Sequence, residues 1–217
     1  MLKYKKLLPL FLVQFFTWLG LFSLWIYATP VISKYFFNTI NAESIDFEKG
    51  TQWVGICFAL YSVLGASLTF ALHKILKRKS KYAVHSVALF FGGLGLISMN
   101  FIHSKYLLLL SFIFIGIAWS SISTTPYLLV GEMAPDEESE KYYSVFNFST
   151  VIPQAIAAFL LAFMTKSLFH GEMIKTIMSG GIFMITASAI SMIISFTEPK
   201  TEIQKTVDDE TQPEQNN

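Results

Sequence analysis

The residues of this 217-residue chain that could do chemistry are uncharged polar groups and aromatic rings, set at helical spacing within long apolar segments. At about 100° per residue, three segments each place such residues on one stripe of a helix. The three stripes are Gln14, Trp18 and Trp25; Ser120, Thr124 and Tyr127; and Asn147, Thr150 and Gln154. Indole rings stack on the C–H faces of sugars, and amides and hydroxyls exchange hydrogen bonds with sugar hydroxyls. The pattern therefore favours a neutral, polyhydroxylated ligand, because an anion would require a basic residue among these groups.

Eight residues of these stripes are the predicted substrate-binding residues, and they are expected to face a central cavity. They are Gln14, Trp18, Trp25, Ser120, Thr124, Tyr127, Asn147 and Gln154. For any one of them a structural role stays open, since tryptophan and tyrosine often lie in membrane-interface belts and serine and threonine often pack helices together.

Other kinds of chemistry find no support in the sequence. The four histidines lie far apart and the only cysteine is Cys57, so neither a metal site nor a disulfide is expected. There is no HExxH or GxSxG motif and no pair of carboxylates within an apolar segment, so the chain is not expected to be an enzyme or to hold a cofactor. A net charge of +1 excludes a phosphate-binding surface for nucleic acid.

The elements that must position the stripes are transmembrane helices. Hydrophobic residues make up 53% of the chain and charged residues only 14%, against about 25% in soluble domains. Six apolar segments approach the ~20 residues that a helix needs to cross a bilayer. The segments are 7–29, 52–72, 83–101, 106–130, 142–165 and 176–196. The fold class predicted is all-α and polytopic, with a six-helix bundle over residues 1–197 and a disordered, acidic cytoplasmic tail over 198–217.

The distribution of basic residues predicts the orientation. With six spans, both ends of the chain share one side of the membrane, and that side holds eleven of the 16 lysine and arginine residues. Cytoplasmic loops carry the excess of such residues, so both termini are expected in the cytoplasm, with the chain in the cell (inner or plasma) membrane.

All 31 formally charged side chains lie outside the six segments. The one convincing titratable side chain within a segment is His85, near the start of the third. We expect His85 to have an interfacial role.

A possible internal repeat relates the first and fourth segments. Each has a Thr-Pro pair late in its length, Thr29-Pro30 and Thr125-Pro126, and the two pairs fall toward opposite membrane faces. A 3+3 inverted repeat, as found in each half of major facilitator transporters, gives this arrangement.

Four stretches carry a family resemblance: VQFFTWLGLFSLWIYATP (13–30), WVGICFALYSVLGA (53–66), GIAWSSISTTPYLL (116–129) and FNFSTVIPQAIAA (146–158). They resemble the major facilitator superfamily, and in particular the bacterial sucrose and maltose transporters akin to glycoside–cation symporters. Their order is similar to that of helices seven to twelve of that family. The basic loop 74–81 resembles a gating loop without its usual glycine and acid, and loop 131–141 carries five acidic residues where relatives have a small neutral turn.

The resemblance implies the C-terminal half of a secondary active transporter for sugars, such as the glucosides sucrose or maltose, supplying one wall of the substrate cavity. The first, fourth and fifth spans are expected to line the cavity and the sixth to lie peripherally. Besides membrane lipid, the expected partner is a second six-helix half or a second copy of this chain. Because no carboxylate lies within the six segments, the coupling cation, H+, is expected to bind to the other half. The alternative is a truncated or non-transporting membrane component that requires, or has lost, an N-terminal half.

Overall fold

The computed structural model describes residues 2–197, so the predicted tail, 198–217, lies outside the described residues. Each apolar segment is helical, and the described part of the chain contains no strand. After a 3-10 turn (Leu2–Leu7) the helices are α1 (Leu8–Phe36), α2 (Ile45–Leu76), α3 (Lys81–Ser98), α4 (Lys105–Ile122), α5 (Thr125–Met133), α6 (Ser139–Phe163) and α7 (Met173–Thr197). A short 3-10 turn precedes α6, and a π-helical turn (Met164–Leu168) follows it. Six continuous or nearly continuous helices are long and apolar enough to span a membrane, as predicted.

Most helices continue beyond the apolar segments because polar caps define their ends. The Ser44 hydroxyl accepts a hydrogen bond from the Phe47 amide at the start of α2, and Ser80 accepts one from Ala83 at the start of α3. The 18 residues of α3 rise about 27 Å, close to the thickness of a bilayer core.

The fourth predicted span is interrupted. Helix α4 ends at Ile122 and α5 begins at Thr125, so the break falls at Ser123 and Thr124. Pro126 has no N–H to donate to the carbonyl four residues earlier, which removes one helical hydrogen bond at this point. The equivalent Thr29-Pro30 pair lies inside an uninterrupted α1.

The helix pairings are those of an inverted repeat. Helix α1 packs against α7 and α6, whereas α4 packs against α3 and α2, and α3 and α7 pack against each other. If each of the first three spans is exchanged with the corresponding one of the last three, the contacts of α1 with α7 and α6 become those of α4 with α3 and α2. The all-α fold with a 3+3 repeat therefore agrees with the prediction.

Glycine allows the closest of these approaches. A Cβ atom built on Gly93 would lie 2.8 Å from the Gly181 carbonyl oxygen of α7, and one built on Gly181 would lie 2.7 Å from that of Gly93. Any larger residue at either position would push α3 and α7 apart, so these glycines are packing positions.

Each end of the bundle is held by an ion pair. At the end where both described termini lie, Lys81 of α3 pairs with Glu132 of α5 at 2.5 Å. At the opposite end, Lys34 of α1 pairs with Glu172, just before α7, at 3.2 Å, and the Tyr35 hydroxyl donates to the same carboxylate. The hydrogen bond from Tyr35 and that from Lys34 hold the pKa of Glu172 below its ordinary value of 4.5.

Candidate functional site

The α1 stripe is formed by Gln14, Trp18 and Trp25. Gln14 is 1% exposed, and the two indole rings are half-buried, with ring centroids 6.0 Å apart. The Gln14 Oε1 and Trp18 Nε1 atoms are buried and have no hydrogen-bond partner among the described residues. Because both atoms are inaccessible in this arrangement, a ligand or water could reach this acceptor and this donor only if the side chains rearranged.

The aromatic surface continues from α1 onto α4 and α2. The Trp25 and Trp119 ring centroids are 5.9 Å apart, and Trp119 and Tyr61 are separated by the same distance. Trp119 fits because Gly65 of α2 has no side chain, since a Cβ there would lie 2.6 Å from the Trp119 ring. The sequence placed Trp119 only beside the second stripe and did not indicate Tyr61, which is 5% exposed and packs against Trp119. The available signal was Gly65, four residues after Tyr61 and thus on the same face of α2.

The second predicted stripe lies on both sides of the break between α4 and α5. Ser120 is buried, and its hydroxyl donates to the Ile117 carbonyl of its own helix, which leaves its oxygen free only to accept. Thr124 stands at the break with no side-chain capping bond. Tyr127 is 43% exposed, its ring lies 5.3 Å from that of Phe146, and its carbonyl accepts from the Tyr143 hydroxyl. Tyr127 therefore meets α6.

The third stripe is the most open. Asn147 is exposed and Gln154 half-buried, and neither amide has a hydrogen-bond partner in the described part of the chain. Helix α6 packs on α1 through Ala157 and Leu161, which contact Leu19. Gln154 is one turn from Ala157, so it lies beside the α1–α6 contact.

The structure brings some of the eight predicted residues together and leaves others apart. Trp18 and Trp25 touch each other, and Trp25 reaches α4 through Trp119. Between Leu8 and Ser33, Tyr106 and Gly131, and Tyr142 and Thr165, the sequence has no charged side chain. We call the uncharged surface formed by the three stripes with Trp119 the polar face; within it, Gln14 and Ser120 are buried beneath the other side chains, at 1% and 3% exposure.

Helix α7 lies on the other side of α1. Gly20 and Ser23 of α1 approach Gly180 of α7, and Gly20 is about 200° around the helix from Trp18. Helix α7 also packs against α3, and its peripheral position relative to a substrate cavity stays a prediction.

His85 lies only four residues after the start of α3, so its expected interfacial role stays a prediction, but its side chain points into the bundle. His85 is completely buried within the bundle, and its Nδ1 lies 2.8 Å from the Ser121 hydroxyl of α4. The serine and threonine hydroxyls on the neighbouring span supply a polar partner inside the bundle, so the imidazole need not reach the surface.

Comparison with known families decides the class of protein. Residues 1–158 match the family model of the Major Facilitator Superfamily, a length that includes α1 to α5 and most of α6. The chain belongs to the major facilitator superfamily. A comparison with curated proteins gives no match. This superfamily consists of membrane transporters, and the six apolar helices of this member make it a multi-pass membrane protein.

Proposed function

We propose that this member of the major facilitator superfamily is the sugar-binding C-terminal half of a secondary active transporter, with the polar face as one wall of the substrate cavity. The observation that carries the proposal is the accessible part of the polar face: the half-buried indole rings of Trp18 and Trp25, 6.0 Å apart, together with the Asn147 and Gln154 amides, which have no partner among the described residues. An uncharged surface with aromatic rings suits a neutral glucoside such as sucrose or maltose, because the rings cover C–H faces while the amides bind hydroxyls.

The opposite wall would come from a second six-helix bundle, either a separate N-terminal-type half or a second copy of this chain. Two helices leave much of their surface uncovered, which supports a second bundle. Only 17% of the most apolar stretch of α2 is buried, and 22% of that in the span containing α6, against 56% in the span containing α1. Unpaired polar groups in contact with hydrocarbon cost several kcal/mol each, so covering the polar face stabilises the assembly. Substrate sites of such transporters lie between the two bundles near the midplane.

Orientation and coupling complete the proposal. The basic residues favour the inner or plasma membrane with both termini in the cytoplasm. No carboxylate lies on the polar face, so the coupled cation, H+, would bind to the other half.

The experiment is equilibrium binding of labelled glucosides to the full chain in lipid nanodiscs, with Trp18→Ala compared with Trp53→Ala. Both variants remove one indole, but Trp53 lies among Tyr106 and Lys105, away from the polar face. Losing the stacking ring should weaken binding about tenfold or more in Trp18→Ala and less than about twofold in Trp53→Ala. Equal losses would refute the assignment of the polar face, and absence of binding to the wild-type chain, alone or co-expressed with a second half, would favour a non-transporting component.

A further inference from the structure

A chain of three hydrogen-bonded side chains connects α3 to both halves of the broken fourth span. His85 Nδ1 lies 2.8 Å from Ser121 Oγ, and Ser121 Oγ lies 2.9 Å from Thr125 Oγ1. All three residues are buried, at 0% exposure. The other ring nitrogen of His85, Nε2, is buried and has no partner within residues 2–197.

The chain crosses the one interruption in the fourth span. Ser121 is in the last turn of α4, and Thr125 is the first residue of α5. Between them, Thr124 has φ −124° and ψ −56° and no side-chain cap, and Pro126 cannot donate the next helical hydrogen bond. Few backbone bonds therefore hold α5 in line with α4, which makes the break a hinge.

The other side of α3 is fixed. The hydroxyls of Ser86 and Ser188 each donate to the other's carbonyl at 2.7 Å, and the Ser191 hydroxyl donates to the Tyr82 carbonyl at 2.8 Å. These bonds join α3 to α7 at Tyr82 and at Ser86, which precede and follow His85 along the helix. Any rearrangement at His85 would therefore move the nine-residue α5 and not α3.

Few charges face His85 from the helices packed around it. On α3 and α5 the nearest are Lys81 and Glu132, which pair with each other and add a surface contact between α5 and α3. Helix α7 contributes the uncharged residues Ser188 and Ser191 at this level. Helix α1 carries no charged side chain between Leu8 and Ser33, and α4 carries none after Lys105. At the end of α2, His73 and Lys74 are exposed.

We propose that His85 is a proton-binding site that controls the hinge between α4 and α5. A neutral imidazole fits the closed arrangement, because Nδ1 bonds Ser121 and no counter-charge is required. A proton taken from water at the nearby end of the bundle converts both ring nitrogens into donors, and the second N–H has no acceptor in the closed arrangement. Water and the backbone carbonyls released at the hinge provide acceptors once α5 moves, so protonation selects the open hinge.

The consequence reaches the polar face, because Ser120, Thr124 and Tyr127 bracket the hinge. Proton binding would change their relative positions whatever ligand the face binds. This switch differs from a coupling site, which must exchange its proton with both sides of the membrane in each cycle. Protonation from one side suffices for the switch.

The test uses the full chain in nanodiscs, with His73, His103 and His170 replaced by Gln so that His85 is the only imidazole. Nitrogen NMR of the imidazole ring measures its protonation. In parallel, the rate of amide hydrogen exchange is measured in α5 and compared, at each pH, with the rate in α7 and with the rate in the His85→Gln variant. We expect α5 exchange to rise about fivefold or more over the pH interval in which the His85 ring protonates, with α7 unchanged. The change should be absent in His85→Gln.

Thr125→Val provides a second variant, since it cuts the chain without altering the imidazole. It should leave His85 titration in place while reducing the response of α5 to less than about half. A His85 ring that stays neutral at every pH at which the chain remains folded, or one that titrates while α5 exchange remains constant, would overturn the proposal. Neither result depends on whether glucosides bind.

Discussion

Lys105 illustrates how much a single side chain depends on partners far away in sequence. Its ammonium group lies over the rings of Phe37, Trp53 and Tyr106, at 5.2, 5.4 and 5.3 Å from their centroids. As the first residue of α4, it is at the positive end of the helix dipole, where a cation is unfavourable. The three ring faces offset this and join the end of α1 to the starts of α2 and α4.

Removing this cation should loosen that end of the bundle. We expect Lys105→Gln to lower the free energy of unfolding by about 1 kcal/mol, and Lys105→Arg, which keeps the charge, to lower it by less. Denaturant titration in detergent measures both. Lys166→Gln is the control, because Lys166 is exposed and has no partner within the described residues; an equal loss there would contradict the role of the rings.

Glu172 gives a pH-dependent stability at the same end. Because its pKa is below the ordinary value of 4.5, the Tyr35 and Lys34 contacts stabilise the folded chain above that pH. This stability is lost as the pH falls through the lower, folded-state value. Thermal unfolding between about pH 7 and 3 should therefore show a fall in the wild type that is smaller in Glu172→Gln; parallel curves would contradict it.

At the residue scale, sequence reasoning could identify types and spacing but not partners. The absence of charge from the spans was readable, as was the alignment of Gln14, Trp18 and Trp25. The contact of Trp25 with Trp119 was not, because it depends on how α1 and α4 cross. The burial of His85 was missed for the same reason, since Ser121 lies 36 residues away.

At the scale of helices, length and apolar composition were sufficient to predict all six spans. They could not predict that Thr125-Pro126 marks a break and Thr29-Pro30 does not. Proline removes a hydrogen bond in both places, but whether the helix separates depends on the groups packed around it. The helix ends were also extended by caps such as Ser44, outside the apolar segments.

The glycine contact between α3 and α7 should be sensitive to size. We expect Gly181→Val to lower the free energy of unfolding by roughly 1–3 kcal/mol, because its Cβ would lie 2.7 Å from a carbonyl oxygen. Gly55→Val on α2 is the matched control, since nothing lies within 4 Å of a Cβ there. Denaturant titration measures both variants. Similar unfolding midpoints for Gly181→Val and Gly55→Val would contradict the packing role of Gly181.

At the scale of the whole molecule, the polar face occupies the side of the bundle formed by α1, α4, α5 and α6, with α7 on the other side of α1. Both Asn147 and Phe159 are exposed on α6, but Phe159 is apolar and 82% exposed, as expected of a residue in contact with lipid. Their positions differ by about 120° around the helix. The central claim is that Asn147 faces an aqueous, substrate-accessible space and Phe159 does not.

Site-directed labelling in native membranes tests this claim most directly. With Cys57 replaced by Ala, single cysteines at Asn147, Gln154 and Phe159 are treated with a hydrophilic maleimide that requires water to react. We predict labelling at Asn147 and Gln154 at least about tenfold faster than at Phe159, slowed by an added glucoside, because thiolates form only in water. Equal, slow labelling at all three positions would place the polar face in lipid and contradict the account.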